Sequence, residues 1–195
     1  MRAPGDGVAT GSSSPGAAGA PRTRQGLIHV YTGSGKGKST AAMGLAARAA
    51  GHGLRVFVVW FLKEKVEGGE RAALERAGDV TFECFGRSGH VNPKHPDPQD
   101  VASARRALDR ASAVIAAGAY DVVILDEVNV ALQMGLLDLG AVLGALEKRP
   151  AHVEVVCTGR GAPIELMGIA DYVTRMDAIK HPLERGIESR KGIDE

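Results

Sequence analysis

The sequence predicts a doubly wound α/β domain with a mostly parallel sheet. Short apolar runs alternate with amphipathic stretches from about residue 25 onward, the pattern of strand–helix units feeding a parallel sheet. A glycine-rich segment, Gly33 to Thr40, separates the first apolar run from the first helical stretch, which is the setting of a phosphate-binding loop. A continuous apolar run, Asp121 to Leu125 (DVVIL), leads directly into Asp126-Glu127. Such a run suits a central strand buried on both faces.

The elements follow in order. Gly26 to Tyr31 (GLIHVY) reads as the first buried strand. Ser39 to Ala50 reads as a helix, stopped by Gly51-His52-Gly53. Leu54 to Trp60 (LRVFVVW) is the second strand. Gly69 to Ala77 is helical, and Asp79 to Cys84 forms a short third strand. Phe85 to Gln99 is a loop dense in Gly, Pro and His, and a long helix runs from Pro98 to Ala117. After the DVVIL strand, Leu136 to Lys148 is helical and Val153 to Cys157 is the fifth strand. Pro163 to Ile169 is a short helix with Pro163 near its start, and Asp171 to Met176 is a sixth strand. Right-handed crossovers put helix N-termini and strand C-termini at one edge of the sheet, where a ligand belongs.

Composition narrows the function classes. The 195 residues suit one domain of residues 25–195 plus a tail, and 44% hydrophobic residues suffice for a core. Residues 1–24 are rich in Gly, Ala, Ser, Pro and Arg without periodicity, as in a disordered tail. Arg2, Arg22 and Arg24 lie there as solvated charges. The net charge of +1 gives no reason to expect a nucleic-acid or membrane surface. The longest apolar runs are strand-sized, and no apolar segment of a signal peptide opens the chain. Cys84 and Cys157 are far apart and make no metal-ligand pattern. These features point to a reduced, cytoplasmic protein.

The phosphate loop reads Thr32-Gly33-Ser34-Gly35-Lys36-Gly37-Lys38-Ser39-Thr40. Three glycines let backbone N–H groups turn inward without Cβ obstruction, and the helix N-terminus adds orphan donors and partial positive charge. Lys38 is expected to contact phosphate oxygens, Ser39 to ligate a divalent metal, and Thr40 to bond phosphate. The ligand expected is ATP. The usual pattern is G-x-x-x-x-G-K-[ST]; here Thr32 stands where the first Gly belongs, and Lys36 adds a second cation. A ligand-free glycine turn is the plain alternative.

Asp126 and Glu127 at the sheet's C-terminal edge can hold Mg²⁺ directly or through water, or can be an ordinary polar strand end. Thr158-Gly159-Arg160-Gly161 follows the fifth strand at the same edge. Arg160 there can neutralise phosphate or orient the nucleotide, or it can be a solvated turn residue. Lys63, after the second strand, faces the same edge as a helper or a surface lysine. Arg48 on the first helix can reach a base or ribose, or form a surface ion pair. His90, His95 and His181 fit no zinc spacing, and no G-x-S-x-G nucleophile elbow is present.

The segment YTGSGKGKSTAAMGLAARAAGHG resembles the phosphate loop of the bacterial corrinoid adenosyltransferases, the CobA/CobO/BtuR class. The resemblance continues through VVWFLK, the GGE from Gly68 to Glu70, VVILDEVNVAL, CTGRGAP and IKHPLERGIESRKGIDE, covering about residues 25–195. It implies a RecA-like P-loop nucleotide-binding fold and a homodimer. It further implies transfer of the 5′-deoxyadenosyl group of ATP to Co(I) of a reduced corrinoid, with release of triphosphate. On that basis Gly33, Ser34, Gly35, Lys36, Gly37, Lys38, Ser39 and Thr40 hold the triphosphate. Arg48 and Arg160 join the nucleotide site, and Ser39, Asp126 and Glu127 serve Mg²⁺ (or Mn²⁺). Lys38 and Glu127 are the catalytic candidates, and a flavoprotein is the expected reductant. Two departures stand out. Ser34 replaces a frequent Asn, and FGRSGHVNPKHPDPQD carries only Phe85 where many members have loop aromatics that help displace the lower axial ligand. Either His90 and Val91 take that part or the corrinoid is handled differently. A P-loop ATPase or small-molecule kinase using the γ-phosphate is the competing class.

Overall fold

The computed structural model describes residues 25–65, 69–89 and 91–194. The tail 1–24 with its arginines, Gly68, His90 and Glu195 lie outside the described residues. Six strands form one parallel sheet: β1 (Ile28–Thr32), β2 (Val56–Phe61), β3 (Val80–Phe85), β4 (Val122–Asp126), β5 (Glu154–Thr158) and β6 (Tyr172–Arg175), ordered β3-β2-β4-β5-β1-β6. Every residue of β2, β4 and β5 is buried. That burial explains their unbroken apolar sequences, because both faces are covered.

Helices α1 (Lys38–Gly51) and α2 (Gly69–Ala77) cover one face. There Ala42, Met43 and Ala46 pack on Val58, Trp60 and Ile124; the alanines let α1 lie close to the sheet. The other face carries α3 (Pro98–Ala117), α4 (Val128–Gln133), α5 (Leu139–Glu147) and α6 (Ile164–Ile169). Their core includes Phe57, Val59, Phe61, Leu125 and Val155. Asp97 caps α3 by accepting from the Gln99 amide at 2.8 Å, and Gly118 closes it in the left-handed region, each end satisfying orphan groups of the helix.

Adjacent strands β1 and β5 are followed by helices on opposite faces, and so are β2 and β4. Each divergence opens a crevice above the strand C-termini, where ligands of such sheets bind. Backbone strain gathers there. Three described non-glycine residues have positive φ, and two of them, Leu62 (62°) and Glu127 (66°), follow directly on β2 and β4. Non-glycine residues reach that region only when their surroundings enforce it.

The sequence reading misses α4. Its six residues, VNVALQ, begin one residue after β4, too short a stretch for periodicity to register, and their valines read as strand. Gly135 at φ 69° ends α4, so the helix expected over 136–148 begins only at Leu139, capped by Asp138 on the Ala141 amide at 2.9 Å. Pro163 is the N-cap of α6 rather than its first residue. A 3₁₀ turn at Pro182–Arg185 had no counterpart in the sequence reading. Among the described residues, no helix is long and apolar enough to cross a membrane.

Gly33 shows how tightly the first loop is seated. Its φ is 98°, and a Cβ there would lie 2.3 Å from the Met176 carbonyl oxygen. Gly33→Ala is expected to cost about 1–3 kcal/mol from backbone conformation alone. The check is a lower urea midpoint for the ligand-free protein at an unchanged m-value.

Candidate active site

The loop from Gly33 to Gly37 joins β1 to α1. Gly37 is the N-cap of α1 at φ 113° and offers no side chain to the first-turn amides, so those donors stay open to an anion. The loop is braced from behind: the Gly35 amide donates to the Met176 carbonyl at 2.7 Å. Lys38 folds back, donating to the Gly33 and Gly35 carbonyls at 2.9 and 2.6 Å. Burial, followed by the nearby Arg160 charge, holds its ammonium below the ordinary lysine pKa, while Glu127 and Asp126 act in the other direction. Lys38, Arg160, Glu127 and Asp126 therefore sit within electrostatic reach of one another.

The strand ends next to the loop carry the rest. Asp126 has no exposure. One of its oxygens accepts from the Thr158 hydroxyl at 2.7 Å and the other from Lys63 at 3.0 Å. The Glu127 amide donates to the same Thr158 oxygen at 3.0 Å. Asn129, also fully buried, donates to the Tyr31 and Gly159 carbonyls at 3.3 and 3.2 Å, which ties α4 to the ends of β1 and β5. Glu127 is held above the ordinary carboxylate pKa, first by burial and then by Asp126, with Lys63, Lys38 and Arg160 opposing.

A cleft of about 1050 Å³ opens over these groups. Lys36, Lys38, Ser39, Thr40, Glu127 and Arg160 line its polar end. Phe61, Val91, Val130, Met134, Leu183 and Ile187 form an apolar wall. The segment after β6 covers the mouth. Lys36 donates to the Ile193 carbonyl at 2.8 Å and pairs with Asp194 at 3.0 Å. Asp194 also takes Arg190 at 2.8 Å, and these two cations hold its carboxyl well below the usual carboxylate range. The loop after β3 is pinned by Arg87, whose guanidinium donates to the buried Asp100 carboxylate at 2.6 and 3.0 Å.

Of the residues singled out from sequence, Gly35 to Thr40, Glu127 and Arg160 line the cleft. Gly33, Ser34 and Asp126 are not part of that lining. Gly33 shapes the turn from behind, and Asp126 lies beneath Lys63. Arg48, expected at a base or ribose or in a surface ion pair, lies ten residues along α1 from Lys38, about 15 Å of helical rise, and is exposed outside the cleft lining. Its charge acts instead on Tyr31. Among the described residues no group of three or more His, Cys, Asp or Glu side chains is placed to hold a metal. His181 lines the cleft and caps the 3₁₀ turn by accepting from the Leu183 amide at 3.3 Å. Sequence reasoning placed Thr158, Asn129 and the C-terminal segment within motifs but gave none of the three a role in the site. The contacts that give them roles join residues far apart in sequence.

The fold and cleft define a class: a doubly wound α/β protein with an anion cradle at a helix N-terminus, facing a carboxylate and an apolar wall. Residues 24–194 match the family described as ATP:corrinoid adenosyltransferase BtuR/CobO/CobP. The chain belongs to that family and is a transferase. It is 39% identical over 174 residues to the corrinoid adenosyltransferase of Pseudomonas aeruginosa, covering 89% of this chain and 85% of that protein. It is 40% identical over 173 residues to the corrinoid adenosyltransferase of a Sinorhizobium species, covering 87% and 80%. Against corrinoid adenosyltransferase CobA of Salmonella typhimurium it is 38% identical over 170 residues, covering 87% and 86%.

The buried Glu127 generates a pH prediction. Its folded pKa lies above the ordinary 4.5, so between the two values the native state binds more protons and stability falls as pH rises. Its penalty is thus absent below the unfolded pKa and complete only above the folded one. Glu127→Gln should raise the urea midpoint of the ligand-free protein at pH 7.5. The gain should vanish toward pH 4, which paired denaturation curves would show.

Proposed function

We propose that this protein transfers the 5′-deoxyadenosyl group of ATP to the Co(I) centre of a reduced corrinoid and releases triphosphate. The observation that carries this reading is the two-sided cleft: a phosphate cradle built on Lys38 faces an apolar wall within one space large enough for more than a nucleotide. The cobalt electron pair attacks C5′, the C5′–O bond breaks, and its electrons leave on the triphosphate. The nucleophile is the substrate's, so the chain need supply none. Its work is to orient C5′ against the corrinoid and to neutralise the departing charge.

Lys38, Arg160 and the open amides at the start of α1 are suited to the triphosphate, with Lys36 available once it leaves Asp194. Ser39 and Glu127 offer hard oxygen donors toward the cleft, a set that fits Mg²⁺ or Mn²⁺ completed by phosphate oxygens. The metal, when bound there, adds charge neutralisation. The apolar residues Phe61, Val130 and Met134 suit the face of a macrocycle. Val91, in the loop where the family resemblance leads one to expect aromatics, lines the cleft and offers the second substrate an aliphatic surface. Burial disfavours the charged form of Glu127, and a metal bound there would supply the counter-charge.

The wider setting belongs to the same reading. A flavoprotein reductant supplies Co(I), and the free thiols Cys84 and Cys157 fit a cytoplasmic protein. Exposed Ile164, Tyr172 and Val173 on α6 and β6 give a second copy an apolar edge for a homodimer.

The decisive assay mixes the protein with ATP and chemically reduced cobalamin. Light-sensitive adenosylcobalamin and stoichiometric triphosphate are expected; ADP with phosphate would reject the reading in favour of a γ-phosphate enzyme. Lys38→Ala should lower the rate by about a hundredfold or more, the scale for removing a preorganised charge stabiliser.

A further inference from the structure

Lys63 lies outside the phosphate loop, yet the fold fixes it more firmly than a surface lysine requires. It follows Leu62, whose φ of 62° turns the chain sharply off the end of β2. Gly86, just past β3, presses against that turn: a Cβ there would lie 2.3 Å from the Lys63 amide nitrogen and 2.6 Å from the Leu62 carbonyl carbon. The backbone is thus clamped in a conformation that leucine seldom adopts.

The side chain is fixed as well. Its ammonium donates to Asp126 at 3.0 Å. Asp126 is itself immovable, since it is fully buried and its other oxygen is taken by Thr158. Lys63 remains partly exposed, with 36% of its side chain accessible, and it lines the same cleft as Lys38, Glu127 and Arg160. An ammonium has three donors. One is spent on Asp126, which leaves donor capacity for a ligand in the cleft that Lys63 lines.

We propose that Lys63 is a triphosphate-binding residue and that the buried Asp126 carboxylate serves to position it rather than to ligate the metal. This rests on the adenosyltransferase reading, because it assigns the cation to that reaction's leaving group. The arrangement gives the phosphate cradle a wall on β2, opposite the loop that follows β1. A strand-anchored ammonium also complements Lys38, which donates to two loop carbonyls.

The experiment measures binding of inorganic triphosphate by calorimetry, in chelator so that no metal contributes, alongside urea denaturation. The proteins are the full chain, Lys63→Met, Lys63→Arg, and Lys63→Met combined with Asp126→Asn. Lys63→Met should weaken triphosphate binding by about tenfold to a hundredfold, the range for one charge-assisted contact. It should also lower stability, because it strands a buried carboxylate. Lys63→Arg should retain part of the binding. The double variant removes both charges, so stability should recover while binding stays weak.

Recovery of binding together with stability would show that Lys63 only neutralises Asp126, and would overturn the proposal. Unchanged binding in Lys63→Met would do the same. If Lys63→Met fails to fold, the double variant and Lys63→Arg carry the comparison; wild-type affinity in the double variant, or none in a folded Lys63→Arg, counts against the proposal. Failure of the wild-type protein to bind triphosphate would instead fault the adenosyltransferase reading of the cradle.

Discussion

Asp126 is a carboxylate with no access to water at the end of the central strand, and such a group survives only when its charge is met within the protein. Thr158 meets one oxygen and Lys63 the other. Those two contacts come from the ends of β5 and β2, the strands flanking β4. The Thr158 oxygen then accepts the Glu127 amide, which helps hold that residue in its left-handed conformation. A single buried charge therefore registers three strand ends against one another and aims Glu127 upward. Moving any one of them would unseat the rest, which is why two strained residues are tolerated within this small region.

Above that floor the electrostatics separate into layers. Lys38 and Glu127 are both penalised by burial, and each is relieved by the other's charge. Burial disfavours the charged form of both groups. An incoming polyanion relieves Lys38 and a cation relieves Glu127, so the site is suited to receiving both together. Binding energy is then spent on groups already in place, which is the preorganisation that transition-state stabilisation requires. The apolar wall has no such tension and contributes shape and exclusion of water.

The layers of the fold were legible because they depend on local pattern. Strands such as VFVVWF and VVILD announce burial on both faces, and Asp97-Pro98 and Gly118 mark the limits of α3 residue for residue. The glycine loop was legible for the same reason: its spacing and its place between strand and helix are properties of neighbouring residues. What stayed hidden depends on partners far along the chain. Asn129 reads as an ordinary polar residue until its contacts with Tyr31 and Gly159 are seen. The distance of Arg48 from the loop is likewise a matter of helical rise along α1, which sets it about 15 Å from Lys38. Asp126 and Glu127 were both read as metal candidates; a strand end followed by a left-handed residue buries the first and sets the second in the cleft lining.

The pairing of Lys36 with Ile193 and Asp194 ties the phosphate loop to residues 157 positions later in the chain. Asp194 offers Lys36 an anionic oxygen, the same kind of partner that a phosphate would offer. On the proposed reading, triphosphate and the C-terminal segment compete for one ammonium. The chain's far end thus bears directly on the loop's second cation, and residues that come last in the sequence form part of the wall of the cleft built by the first strand and helix.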